Sequence, residues 1–499
     1  MSGAAPSDTS ATPASPLFPK LPYDMGPAAA KATGDLKLQQ FVHSATRIKD
    51  RGRVSACREA FGDRYDAVRE LAGRIKQHTL DHLDGYLDRF IDRAEASGAR
   101  VHFATDAREA NDICLSIARA NACRLCVKSK SMVTEETHLL PELERAGIET
   151  LETDLGEFIL QLDHDAPSHI VTPMIHKDRS AVARAFVREL GAEYTEDPAR
   201  LTAIAREHMR RKFRGADLGI SGANFLIAET GSIVVCTNEG NADLAMGCPP
   251  VHIAFVGIEK LIPRLEHLPV FLKLLARSAT AQPLTIYTTL ITGPRRPAET
   301  EGPRELHIIL LDNGRTEILR SEARELLRCI RCGACLNACP VYRHAGGGHA
   351  YGAVYSGPIG AVLTPHLRGL ENYADLPRAS SLCGACYEAC PVKIDIPTQL
   401  VALRKTLVDR GTLGRASSLA YRAWAWLLGR PRLYRFSQKL GRISLRLMSG
   451  ARGHGDGLRD GAWLDDAPGT LGAWTRERDF PTPPSSTFRD WWKTQGRSP

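Results

Sequence analysis

From residue 36 to 97 apolar positions recur at intervals of three and four, as in Val68, Leu71 and Ile75, then Leu80, Leu83, Leu87 and Phe90. A helix of 3.6 residues per turn gathers such positions on one face, so the pattern predicts a helical N-terminal brace over 34–99. Beyond residue 100 the period changes. Short β-rich runs at 124–128, 148–152, 169–172, 233–237, 252–257, 284–289 and 307–311 alternate with helical patterns over 135–146, 178–189, 198–213 and 269–279. That alternation predicts an α/β domain over 100–319, with a mostly parallel sheet carrying helices on its faces. Between these runs, D-L-G-I-S-G-A-N-F-L-I-A-E-T-G-S over 217–232 predicts a glycine-punctuated turn leading into a hairpin at Thr230-Gly231. Residues 1–33 are rich in Ala, Pro, Ser and Thr without periodicity, which predicts a disordered tail.

Two cysteine runs interrupt the pattern after a short helical lead at 322–327. The first reads C-I-R-C-G-A-C-L-N-A-C-P over 329–340, and the second C-G-A-C-Y-E-A-C-P over 383–391. The first has the C-x2-C-x2-C-x3-C-P spacing that wraps a [4Fe–4S] cube and lends its last cysteine to a second cube. By that exchange Cys329, Cys332, Cys335 and Cys390 hold one cluster, and Cys339, Cys383 and Cys386 hold the other. The second cluster lacks a fourth thiolate, because the matching position is Ser380. A serine-ligated iron, a non-protein ligand, an open iron site and a three-iron cluster all remain, with a three-cysteine cube convertible to [3Fe–4S] ranked first. Zinc is the plain competitor for paired C-x2-C runs, but seven cysteines do not divide into closed four-ligand zinc sites, and both runs end in Cys-Pro. The module is expected over 320–400.

The chain has 499 residues and 43% hydrophobic content, enough for several domains with a sizeable core. Sixty-five Lys and Arg face 57 Asp and Glu, a net charge of +8 that does not by itself mark a nucleic-acid binder. Its distribution is uneven: Arg404, Lys405 and nine more basic residues to Arg446 face only Asp409, interleaved with Tyr421, Trp424, Trp426, Tyr434 and Phe436. Residues 401–499 are therefore expected to form a basic helical C-terminal region with a flexible end. Docking of its helices on a partner is the favoured reading, ahead of a peripheral membrane contact and of a nucleic-acid face. No apolar run reaches bilayer length, no secretory pattern opens the chain, and iron–sulfur ligands need reduced thiols, so a cytoplasmic protein is expected. The lone C-x2-C at Cys123 and Cys126 reads as buried free thiols.

Open α/β sheets place ligands just past their strand ends. Polar residues at such positions make Lys128, Ser129, Lys130, Glu229, Thr230, Asn238, Glu239 and Asn241 the candidates for substrate contact. Turn chemistry alone also favours Asn and Gly there. Neither G-x-G-x-x-G nor G-x4-G-K-[ST] supports a nucleotide, G-x-S-x-G is absent, and none of His138, His164, His169, His176, His208 and His252 pairs at metal-ligand spacing on one helix.

With these residues in view, the sequence resembles the lactate utilisation protein B family. The resemblance is carried by K-S-K-S-M at 128–132, E-T-D-L-G-E at 152–157, P-S-H-I at 167–170, the 217–241 tract, G-I-E-K at 257–260, G-P-I-G at 357–360 and both cysteine runs. It implies a lactate-utilisation (LUD) α/β domain of the sugar-isomerase and CoA-transferase-like type, then an α-helical ferredoxin module with two [4Fe–4S] clusters. It also implies electron transfer in the oxidation of L-lactate to pyruvate, beside a second cysteine-rich cluster protein and a smaller LUD-domain protein. The family's second run likewise has three cysteines. The alternative is an α/β domain that is itself catalytic on a carboxylate or acyl substrate, its clusters being structural.

Overall fold

The computed structural model describes residues 19–412, 415–452, 463–464, 467–469, 472–475, 479–483 and 487–495. Most of the expected tail and much of the expected flexible end lie outside them. The chain divides into Met1–Leu407 and Val408–Pro499.

In the first unit the helical N-terminus begins earlier than its composition suggests. Helix α1 (Met25–Gly34) starts inside the stretch expected to be disordered, because Asp24 caps it by accepting from the Gly26 N–H and Met25 is buried. The Tyr23 hydroxyl also donates to the Ala350 carbonyl at 2.9 Å, tying this segment to the cysteine module. Helices α2 (Leu36–Phe61), α3 (Tyr65–Asp81) and α4 (Leu83–Ala96) follow, as the three-and-four spacing predicts.

The central layer is a six-stranded sheet: β1 (Arg100–Ala104), β2 (Leu125–Lys128), β3 (Glu149–Glu152), β4 (Leu218–Gly222), β7 (Val251–Gly257) and β10 (Glu305–Leu311). Their order is β1-β10-β7-β4-β2-β3, and every pairing is parallel. A smaller sheet carries β5 (Phe225–Ile227), β6 (Ser232–Thr237), β8 (Leu261–Ile262) and β9 (Tyr287–Ile291) in the order β8-β5-β6-β9, with the β5–β6 pair forming the expected hairpin.

Three local expectations change. Residues 169–172 do not form a strand, since the Val171 and Thr172 N–H groups donate to His169 Nδ1 at 3.0 and 3.2 Å rather than to a neighbouring chain. The helix expected over 135–146 is broken into Met132–Glu136 and Leu139–Arg145, because His138 takes a left-handed φ of 56°. The tract read as a turn contains β4, whose Gly219 packs so closely on the Ala245 carbonyl that a side chain there would collide with it.

A single core joins the brace, the small sheet and the cysteine module. It runs from Val42, Ala72 and Ile75 through Phe225 and Ile262 to Leu326, Cys332, Cys390, Ile394 and Leu403. Around the cysteines the chain folds as short helices, Ala334–Ala338 and Ala385–Ala389, each beginning just after a glycine in the left-handed region. Cys123 and Cys126 are buried free thiols. In the second unit, helices Arg415–Leu428 and Pro431–Arg452 contain no acidic residue, and Leu433, Phe436, Leu440, Ile443 and Leu447 expose an apolar stripe at helical spacing. Among the described residues no helix is long and apolar enough to cross a membrane.

Candidate functional site

Strands β2, β4 and β7 end together, and a cavity of about 340 Å³ opens beyond their carboxyl ends. Ser129, Lys130, Asn238, Glu239 and Asn241, all expected from the sequence, line it. Asn238 is fixed there from both sides: its amide donates to Gln282 at 3.0 Å and its carbonyl accepts from the Ile286 N–H at 3.1 Å. The remaining three candidates lie elsewhere. Lys128 is completely buried and pairs with Glu152 Oε1 at 2.7 Å and Glu135 Oε1 at 3.1 Å. Burial opposes its charge, but Glu152, Glu135 and Glu157 outweigh that and hold its pKa above the ordinary lysine value. Glu229 and Thr230 belong to the turn of the β5–β6 hairpin, where Glu229 accepts from the Leu265 N–H at 2.9 Å and Thr230 donates to Ser232 at 2.8 Å.

The sequence did not single out Asp154, Cys236, Lys260, Arg331 or Tyr355, which also line the cavity. Burial next to Glu157 raises the Asp154 carboxyl to about 7, and burial beside Arg331 lowers the Lys260 ammonium to about 8. Arg331 comes from the first cysteine run and Tyr355 from the loop between the runs, so the cysteine module supplies one wall of the α/β pocket.

A buried ionic chain holds that wall in place. The Tyr355 hydroxyl donates to Glu136 Oε2 at 2.8 Å, Arg315 bridges Glu136 at 2.9 Å and Glu259 at 2.6 Å, and Arg331 Nη2 reaches Glu259 Oε1 at 3.3 Å. Arg331 also stands over the Tyr355 ring, 4.7 Å from its centroid. Burial would push the Glu259 carboxyl up, yet Arg315 and Arg331 pull it down to about 2.

On the far side of Arg331, Cys329, Cys332, Cys335 and Cys390 line a second, smaller cavity with Ile330, Val392 and Ile394. The Cys335 thiol is pushed well up by burial and then by Cys329, Cys332 and Cys390 around it. Cys339 feels Cys383, and Cys386 feels both Cys339 and Cys383. Backbone N–H groups of Arg331, Tyr342 and Ile394 donate to the sulfurs of Cys329, Cys339 and Cys390 at 3.4, 3.5 and 3.4 Å. Soft donors converging in this way, with N–H groups aimed at their sulfurs, fit iron–sulfur clusters. Cys383 and Leu382 are exposed, whereas Cys332 and Cys390 are buried.

A parallel α/β domain sharing a core with a two-run cysteine module defines an α/β protein of the iron–sulfur class. Sequence models agree: the LUD domain matches residues 87–311, the 4Fe-4S dicluster domain 325–394, and the C-terminal domain of lactate utilisation protein B 405–497. Lactate utilization protein B of Geobacillus kaustophilus is 46% identical, covering 86% of this chain and 89% of its own. That of Shouchella clausii is 43% identical over 93% and 95%. The chain belongs to the lactate utilisation protein B family.

Proposed function

We propose that this chain is an iron–sulfur electron-transfer subunit of a cytoplasmic system that oxidises L-lactate to pyruvate. The observation that carries the reading is the contrast between two cysteine groups in one core: Cys329, Cys332, Cys335 and Cys390 are walled against the α/β pocket, whereas the group of Cys339, Cys383 and Cys386 opens to the surface at Cys383. In this reading Cys329, Cys332, Cys335 and Cys390 hold one [4Fe–4S] cluster, and Cys339, Cys383 and Cys386 hold another. When bound, the clusters supply reversible one-electron transfer. The protein's own residues set the conditions for it. Ile330, Val392 and Ile394 keep water from the first site, and the N–H groups of Arg331, Tyr342 and Ile394 stabilise sulfur charge. The exposed Cys383 and Leu382 give the second site an opening toward a partner. Those partners are a second cysteine-rich cluster protein and a smaller LUD-domain protein, with the basic C-terminal helices available for docking.

Anaerobically purified protein is expected to carry iron and sulfide near a two-cluster ratio, and L-lactate is expected to reduce the clusters once the partners are added. Stoichiometric zinc without iron overturns the reading. The pocket favours a second reading, in which the α/β domain is itself catalytic on a carboxylate or acyl substrate. Lactate turnover by the full complex with clusters that stay redox-silent selects it.

A further inference from the structure

Where the α/β pocket meets the first cysteine run, buried positive charge exceeds buried negative charge. Among the described residues there, Lys76, Lys260, Arg315 and Arg331 are buried, and the carboxylates buried among them are Glu136 and Glu259. Removing charge from water is costly without a partner. Three of the cations are accounted for in part. Arg315 is held by both carboxylates, and Lys76 donates to the Glu259 and Leu261 carbonyls. Arg331 uses Nη2 on Glu259, but its Nη1, on a side chain only 9% exposed, has no hydrogen-bond partner. Lys260, 7% exposed, makes neither a hydrogen bond nor an ion pair among the described residues, although Glu259 precedes it and acts on it electrostatically. Both residues line the pocket, and their unused N–H groups call for an anion.

The thiolates of the first run supply negative charge on one side of Arg331. Cys329 also acts on Lys260, favouring its ammonium, but Lys260 lines the α/β pocket and not the cysteine-walled cavity, so an anion in the pocket reaches it from the other side. The opposite rim carries Asp154 and Glu239, with Lys130 paired to Glu157 at 3.3 Å, so the rim suits a neutral polar group better than a second anionic one. A polyanion such as a phosphate ester meets repulsion there. A small monocarboxylate with a hydroxyl or carbonyl beside its carboxylate matches both ends.

We propose that this pocket binds a small 2-hydroxy- or 2-oxo-monocarboxylate, its carboxylate held by Arg331 and Lys260 at the edge of the first cysteine run. The proposal deepens the lactate reading by assigning the substrate class to this chain rather than to a partner. It also gives Arg331 two faces, one on the carboxylate and one, through its backbone N–H, on Cys329.

The test is equilibrium binding of L-lactate, pyruvate and inorganic phosphate to the anaerobically purified full chain, by calorimetry, with iron content measured in every sample. Wild type is expected to bind L-lactate or pyruvate and to bind phosphate far more weakly. Lys260→Met is expected to weaken binding by about tenfold or more, the effect of losing one charge-assisted hydrogen bond, while iron content stays unchanged. Arg331→Lys serves as the second variant, since it keeps the charge but loses the fork, and it is expected to bind more weakly with iron retained. Glu229→Gln, on the remote hairpin, is the control. No carboxylate binding by wild type, phosphate bound as tightly as lactate, or unchanged affinity in Lys260→Met each overturns the assignment. The electron-transfer reading survives any of these, because iron loading and reduction with partners are measured separately.

Discussion

In the first cysteine run the residue before the second cysteine is Arg331, and at the matching position of the second run stands Leu382. Both take a left-handed backbone, with φ of 60° and 54°, and the glycines that follow, Gly333 and Gly384, have φ of 73° and 82°. The Arg331 N–H donates to Cys329 Sγ, and the Leu382 N–H donates to Ser380 Oγ at 3.1 Å, so serine occupies the corner that cysteine fills in the first run. The backbones agree and the surroundings do not. Arg331 is buried against an ionic network and a pocket, whereas Leu382 is 39% exposed, next to the exposed Cys383. One turn is thus repeated for two tasks, facing inward toward the pocket and outward toward solvent.

Removing one ligand from each proposed cluster site separates the two surroundings most sharply. Cys332 and Cys390 lie in the main core, so Cys390→Ala is expected to lose roughly half the iron and also to destabilise the chain by about 2 kcal/mol or more as packed sulfur leaves a cavity. Cys383→Ala is expected to lose iron from the second site only, with a denaturation midpoint close to wild type. Iron analysis with chemical denaturation reads both effects. Equal destabilisation by the two variants removes the inward and outward distinction.

A smaller effect is expected at the serine corner. Ser380→Cys supplies the missing soft ligand at a position whose oxygen already accepts the Leu382 N–H. Brief air exposure of wild type is expected to give the electron paramagnetic resonance signal of a three-iron cluster, and the variant is expected to suppress it. A wild type without that signal, together with an unaffected variant, means that some other protein group completes the second site.

The iron–sulfur module was legible because its clustered cysteines are written in short-range sequence, and so was the α/β alternation because burial imposes period on each element. The first wall of the pocket was not. Arg331 meets Ser129 and Lys260 only after the chain has folded, and no local spacing joins them; its one signal was a charge set between two ligands. Lys128 misled for the opposite reason. Its position at a strand end predicts exposure to ligand, but Glu135 and Glu152 draw it inward. Met25 and α1 were hidden by an alanine-rich composition that is disordered only when nothing covers its apolar face, and here Tyr23 and Met25 pack on the cysteine module.

The smallest effect tests whether the two turns differ only in what surrounds them. An alanine in the left-handed region costs about 1–2 kcal/mol from crowding of its Cβ, offset by up to about 1 kcal/mol from the lower entropy of the unfolded chain. At Gly384 nothing lies within 4 Å of an added methyl, so Gly384→Ala is expected to cost about 1 kcal/mol and no more. At Gly333 the same methyl meets His169 Cε1 at 3.1 Å and Val171 Cγ2 at 3.3 Å. His169 cannot easily retreat: its Nε2 is bonded to Asn337 at 3.1 Å, and its Nδ1 accepts from two backbone N–H groups. Gly333→Ala is therefore expected to cost about 2–3 kcal/mol, the same strain plus displacement of a ring that belongs to the α/β domain. Denaturant midpoints of the iron-loaded variants measure the gap. If the two substitutions cost the same, the α/β domain does not press on the first run, and the inward-facing role assigned to that turn loses its physical basis.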